Sequence, residues 1–368
     1  MRVALVHDYL IQYGGAERVL EEFCSIFPNA PIYTLVYDAE LTGHAFEGRE
    51  IKTSFLQHFP FSAKLYKLFP IFMPVAIENF DFSKYDLIIS SSSSYANGLL
   101  ARGGGMHVSY CHSPMRYARS DYREIAGESM YPRFIRKLIP FFIPYIRLWD
   151  NNSSKRPDHY IANSNFVKNK IKKYYKQKSR IIYPPLNFDK FYITKPKDYF
   201  LLVGRMVPYK RFDLAIMAFN KLGLPLKVIG AGPEEKKIKK IAKNNVEFVG
   251  LTSEIDLVKH YANAQALIFP QEEDFGITAL ESMASGRPVI AYKAGGALES
   301  VDEGKTGVFF DKQNVETLIE TVKKFQDMRF DPQYIRASVA KFDKLEFRKN
   351  IVDFINSKLE EDNKLILA

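Results

Sequence analysis

Apolar residues fall in short unbroken runs, and each run is followed by a segment whose apolar positions take helical spacing. In the second half the runs are 199–204, 226–230, 246–250, 266–270, 288–292 and 307–310. Between the first two lie Leu214, Met217, Ala218 and Leu222 at intervals of three and four, and a lysine-rich helix is predicted over 233–243. Continuous apolar runs of this length predict strands covered on both faces, and their alternation with helices predicts a parallel sheet built from βαβ units. The first half repeats the pattern more loosely. Its candidate strands are 2–7, 32–36, 86–90, 106–110, 159–163 and 180–184, with a helix over about 15–27. The expectation is an α/β protein of two doubly wound, Rossmann-like domains, 1–190 and 199–342. A proline-bearing linker at 184–198 would join them. Helices follow near 314–326, 331–341 and 345–360, and the C-terminal helix 345–368 is expected to pack back on the first domain. Open α/β sheets bind ligands beyond the carboxyl ends of their strands. Two such sheets facing one another would enclose an interdomain cleft.

Composition narrows the class. The chain has 368 residues, 46% hydrophobic and 26% charged, which fits two globular domains and excludes a disordered chain. Cys24 and Cys111 belong to no CxxC or Cys/His cluster, so neither a disulfide framework nor a structural zinc is expected, in keeping with a cytoplasmic setting. The opening apolar run is cut by His7-Asp8 and reads as a first strand rather than a leader. No run approaches the roughly 18 apolar residues of a spanning helix.

Charge is unevenly placed. The net charge is +10, yet residues 131–180 alone hold thirteen Lys/Arg against Asp150 and Asp158. Aromatic residues are interleaved there, among them Tyr131, Phe134, Phe141, Phe142, Tyr145, Trp149, Tyr174 and Tyr175. Segment 53–82 is similar, with Lys64 and Lys67 beside Phe55, Phe59, Phe61, Tyr66, Phe69 and Phe72. Basic residues among aromatics suit a solvated helix face over a core, or an anionic membrane surface on which the protein would be peripheral. No recognised nucleic-acid motif accompanies them, so nucleic acid is not expected as a partner.

Four motifs at predicted strand ends can carry chemistry. Gly14-Gly15 follows the first strand and opens a helix, where backbone N–H groups can approach a ligand. Arg18 stands where a dinucleotide fingerprint needs its third glycine. His112 ends strand 106–110 and is placed to donate a hydrogen bond or move a proton; His7, His107 and His159 lack a supporting motif. Arg205 and Lys210 flank a turn after strand 199–204, a fork and a point charge suited to a diphosphate. Glu273 and Glu281 bracket Phe275-Gly276, with Glu273 facing the start of a helix and Glu281 about one turn in.

Together, GGAER (14–18), HSP (112–114), ANS (162–164), GR…K (204–210) and EDFGITALESMASGRPVIA (273–291) resemble glycosyltransferase family 4 (group 1), retaining enzymes of the GT-B fold. The match spans nearly the whole chain and is most specific in the second half, where Glu273 and Glu281 meet the family's E-x7-E signature. One departure is Asp274, where many members carry glycine. The opening VALVHDYLIQYGGAERVLE is similar to mannosyltransferases that use GDP-mannose. The resemblance implies that Arg205 and Lys210 hold the donor diphosphate and Glu281 the ribose. Glu273 would take sugar hydroxyls, helped by the backbone of Phe275, Gly276 and Ile277, and His112 would contact the sugar near the reaction centre. Gly14 and Gly15 would line the phosphate or acceptor side; Gly230, Val249 and Gly250 would hold the base. No metal or other cofactor is implied. The acceptor would be a saccharide or lipid-linked sugar. The alternatives left open are a soluble acceptor, a nucleotide-sugar epimerase and a noncatalytic sugar-nucleotide or membrane-binding module.

Overall fold

The computed structural model describes residues 1–66, 69–118 and 133–361, which form two compact units, Met1–Pro185 with Leu345–Ala368 and Leu186–Lys344. Lys67 and Tyr131 of the basic aromatic segments lie outside the described residues. Each unit is built on one all-parallel sheet. The first contains β1 (Val3–His7), β2 (Ile32–Thr34), β3 (Ile51–Thr53), β4 (Leu87–Ser92), β5 (Met106–Cys111), β6 (His159–Ala162) and β7 (Ser179–Ile181), in the order β3-β2-β1-β4-β5-β6-β7. The second contains β8 (Phe200–Val203), β9 (Leu226–Ile229), β10 (Val246–Gly250), β11 (Leu267–Phe269), β12 (Val289–Tyr292) and β13 (Gly307–Phe310), in the order β10-β9-β8-β11-β12-β13. The expected doubly wound parallel sheets are thus present in both. Among the predicted strands β3 is missing, because IKT is a half-buried edge strand too short to give a pattern.

Alternation along β1 builds the first unit's two core layers. Leu5 points to one face, with Phe23, Ile89, Val108 and Tyr110, while Ala4 and Val6 point to the other, with Tyr33, Ile88, Tyr95 and Trp149. The helix Lys344–Glu361 supplies Phe347, Ile351, Ile355 and Leu359 to the first of these layers, at four-residue spacing. The Phe347 ring lies 5.6 Å from Phe23 and 5.8 Å from Tyr110. In the second unit Phe200, Leu202, Val228, Ile268 and Ile290 meet Phe212, Phe219, Leu318 and Val322 of the covering helices.

Segment 184–198, expected as a linker, is from Leu186 onward part of the second unit. Leu186 donates to Phe342 O at 2.8 Å and accepts from Lys344 N at 3.0 Å. Phe191 is buried against Tyr261, and Arg336 donates to its carbonyl at 2.6 Å. Proline signals irregular backbone, but the apolar anchors decide where it packs. Among the described residues no helix is long and apolar enough to cross a membrane.

The central strands β4 and β5 also bury polar side chains: Ser90, Ser91, Ser92, His107 and Ser109. His107 Nε2 lies 2.8 Å from Ser90 Oγ, and burial, with the nearby Arg156 charge, pushes the imidazole down to about 3 from 6.5. It is a core histidine, not a site residue.

Two outcomes follow from this packing. Ile351→Ala deletes a fully buried side chain and should cost about 2–5 kcal/mol, read as a lower urea midpoint; an unchanged midpoint would show that the C-terminal helix is not part of the core. For His107, the unfolded chain binds a proton between pH 6.5 and about 3 that the folded chain does not, so acid erodes stability across that window. His107→Gln removes this contribution, and its stability should fall less steeply than the wild type's from pH 6.5 to 3; parallel curves would contradict the assignment.

Candidate functional site

The sequence-predicted residues of the second unit gather at the carboxyl ends of β8 and β11. These are neighbours in the sheet although the chain leaves β8 for β9 and returns to β11 only later. At such a reversal of strand order the connections depart to opposite faces and leave a crevice at the strand ends. Lys210 comes from the turn after β8 and Glu273 from the loop after β11, and the ammonium donates to Glu273 Oε1. Both side chains are only about one-sixth exposed, at 14% and 16%. Gln271 Nε2 donates to the same carboxylate oxygen at 3.1 Å. Arg205 is exposed at the start of the same turn as Lys210.

Glycines let the backbones come this close. Gly204 (φ +149) directly follows β8, and the Lys210 ammonium lies 3.9 Å from where its β-carbon would be. A β-carbon on Gly230 would sit 1.9 Å from Gly204 O, so the ends of β8 and β9 touch through backbone alone. Gly230 N donates to Gly250 O at 2.9 Å, which brings the β10 end, with half-buried Val249, into the same row.

Gly276 (φ +98) starts the helix Ile277–Ala284 in a left-handed conformation, against the ring of Phe269. Phe275 is buried against Phe342, with ring centroids 5.6 Å apart. Ile277 is half-buried in the first turn. Glu281 lies one turn further in, and its Oε2 accepts from Tyr261 O–H at 2.7 Å. At 3% exposure this carboxylate is more deeply enclosed than a helix-start reading implies. Asp274 is buried as well. Gly295-Gly296, given no role from the sequence, also belongs to this place. Gly296 N donates to Glu273 O at 2.8 Å, and a β-carbon on Gly295 would strike the same carbonyl at 2.3 Å. Two adjacent glycines after an apolar run were the available signal.

In the first unit the reversal of strand order lies between β1 and β4. Asp8, directly after β1, is buried and accepts from four successive backbone amides beyond β4: Ser93 at 2.6 Å, Ser94 at 3.0 Å, Tyr95 at 2.8 Å and Ala96 at 2.7 Å. Ser93 Oγ adds a bond at 3.0 Å. Aligned N–H dipoles compensate the buried charge, and the charge fixes the loop.

His112 directly follows β5 and is half-buried. Its N–H donates to Ser92 O at 2.8 Å, and its carbonyl accepts from Asn163 Nδ2 at 3.1 Å. Its ring Nε2 lies 2.8 Å from Ser91 Oγ, which lies 3.1 Å from His7 Nδ1. His7 Nε2 in turn stands 3.7 Å from Glu17 Oε1. His7, given little weight in the sequence, is therefore joined to His112. Gly15 is exposed at the helix start, whereas the Gly14 amide donates to Glu17 Oε2 at 2.9 Å. The pair of glycines expected to meet a ligand thus spends one amide on its own helix. Burial raises Glu17, but the adjacent His7 imidazole, with backbone amides, outweighs it and holds the carboxyl below its usual value.

Residues 185–341 match the family model described as glycosyl transferases group 1, and residues 13–190 the model described as glycosyltransferase family 4. An uncharacterized glycosyltransferase of Methanocaldococcus jannaschii is 32% identical over 170 residues, 45% of this chain and 48% of that protein. The GDP-mannose-dependent α-(1-6)-phosphatidylinositol monomannoside mannosyltransferase of Mycobacterium tuberculosis is 31% identical over 138 residues, 33% of this chain and 36% of that protein. The chain spans about half or less of the length of these curated relatives. Among solved structures, Anabaena HepE in complex with UDP superposes over 97% of this chain and 100% of its own, with a TM-score of 0.70 at 17% identity, a likeness of fold.

Proposed function

Because the chain belongs to glycosyltransferase family 4 (group 1), we propose that it transfers a sugar from a nucleotide-sugar with retention of configuration. The donor in this reading is GDP-mannose, and the acceptor is a saccharide or lipid-linked sugar in polysaccharide or glycolipid synthesis. The observation that carries it is the Lys210–Glu273 pair at the β8/β11 reversal, a cation and a carboxylate from two loops held on one spot. A donor needs that pairing of charges: positive charge for the diphosphate, and an acceptor of hydrogen bonds for the sugar hydroxyls.

In this proposal Lys210 leaves Glu273 for the diphosphate when the donor enters, and Arg205 closes on the same oxygens. Positive charge placed there stabilises the charge that builds on the leaving diphosphate. Glu273, released from Lys210 but still bonded by Gln271, turns to the sugar hydroxyls. The row of glycines 204, 230 and 250 offers backbone groups to the nucleoside, with Glu281 toward the ribose. His112 meets the sugar near the reacting carbon. The mannosyl assignment is supported by the Mycobacterium tuberculosis relative, a GDP-mannose-dependent mannosyltransferase.

The same reading puts the first unit against an anionic membrane. On the helix Arg133–Ser153, Phe141 (75% exposed), Tyr145 and Leu148 (62%) follow one another at four and three residues, a single apolar stripe facing outward. Trp149 and Ile146 of that helix face the core instead. Phe61 (73%), Phe72 and Val75 of the second aromatic segment are exposed too.

Glu273→Gln and Lys210→Ala, each checked for a native circular-dichroism spectrum, should lower kcat for transfer from GDP-mannose by about 10²–10³-fold. Release of GDP and product formation, with a lipid-linked acceptor in anionic vesicles, give the readout. Full turnover by both variants would remove the site assignment. Turnover with another nucleotide-sugar alone would replace the donor, and epimerisation without acceptor would replace the reaction.

A further inference from the structure

We infer that a buried relay, in which the Glu17 carboxylate faces His7 at 3.7 Å and hydrogen bonds join His7, Ser91 and His112, fixes the tautomer of His112, with the proton on Nε2 and the lone pair on Nδ1. The relay is contained in the first unit. It runs from the helix start after the glycine turn (Glu17), through the last residue of β1 (His7) and the penultimate residue of β4 (Ser91), to the residue after β5 (His112). All three supporting residues are at most 3% exposed, so water does not compete for their protons.

Direction follows from what each group can offer. Glu17 is ionised and only accepts; its Oε1 also receives Gln12 Nε2 at 3.3 Å and its Oε2 the Gly14 amide at 2.9 Å. When the His7 ring carries a single proton, that proton lies on the nitrogen that faces this carboxylate, Nε2 at 3.7 Å, and Nδ1 is left as an acceptor. Ser91 has a single hydroxyl proton, and it goes to His7 Nδ1 at 3.1 Å. The Ser91 oxygen then presents only lone pairs to His112, so His112 Nε2 at 2.8 Å must be the protonated nitrogen. The main chain of His112, bonded at both N–H and C=O, keeps the ring in line with Ser91. Any hydroxyl that meets Nδ1 is thereby the donor and the imidazole the acceptor. This orientation deepens the reading of the protein as a glycosyltransferase and rests on it for its consequence: His112 accepts a hydrogen bond from a substrate hydroxyl rather than donating one. Glu17, His7 and Ser91 are positioning residues.

The test reads the tautomer directly. Two-bond ¹H–¹⁵N spectra of the full-length, ¹⁵N-labelled protein under mildly alkaline conditions separate the two neutral forms, and His112→Gln identifies the resonance. The wild type should show His112 as the Nε2–H form. Ser91→Ala should populate the Nδ1–H form and lower kcat roughly ten- to hundredfold, with donor KM changed less than about twofold. Ser91→Thr, which restores a hydroxyl, should return both. If Ser91→Ala does not fold, Glu17→Gln serves in its place: its carboxamide can donate to His7 and reverse the relay, again raising the Nδ1–H form. A His112 tautomer indifferent to a folded Ser91→Ala or Glu17→Gln overturns the inference. The spectra need no nucleotide-sugar, so a tautomer that responds in a protein lacking transferase activity would keep the relay and discard the proposed function instead.

Discussion

A parallel sheet that begins in its middle and winds outward in both directions must leave two adjacent strand ends whose loops turn away from each other. The main charged centres described in each unit sit at such a place. In the first unit it lies between β1 and β4, and in the second between β8 and β11. The constraint is geometric before it is chemical, because right-handed crossovers of opposite sense cannot cover the same strand ends. What each unit adds is a charge to fill the gap. Asp8 binds four successive amides at one reversal, and Lys210 meets Glu273 at the other. Glycine then decides how near the backbones come, most plainly where Gly230 rests on the Gly204 carbonyl.

The two charged centres differ in how firmly they are fixed. Asp8 is satisfied by backbone that belongs to the same folded unit, so nothing is gained by moving it. Lys210 and Glu273 are long side chains that hold one another, with Gln271 as a third member. An ion pair of this kind can exchange partners when an anion and a set of hydroxyls arrive together. Partial burial strengthens each interaction without freezing it. Asp8 and the Lys210–Glu273 pair thus stand at equivalent positions of two sheets.

Strands buried on both faces were legible because a short apolar run between turn residues has little else to become. Twelve of the described strands coincide with such runs. The half-buried IKT of β3 gave no such signal. At the site, Glu273, Glu281, Arg205 and Lys210 could be named from motif spacing. Their pairing could not, since Lys210 and Glu273 are 63 positions apart and meet only through strand order. The Asp8 amides come from 85 to 88 positions away, beyond the end of the strand predicted over 86–90. The basic aromatic segments divided in a way composition cannot show: Trp149 and Tyr175 entered the core, while Phe61 and Phe141 stayed outside.

The central claim is that Lys210 and Glu273 form one donor site by exchanging each other for substrate. A crystal structure with GDP-mannose bound tests it most directly. The expected result is the Lys210 ammonium on diphosphate oxygens and the Glu273 carboxylate on sugar hydroxyls, with their mutual bond opened. A donor seated elsewhere, with Lys210 still on Glu273, would contradict it.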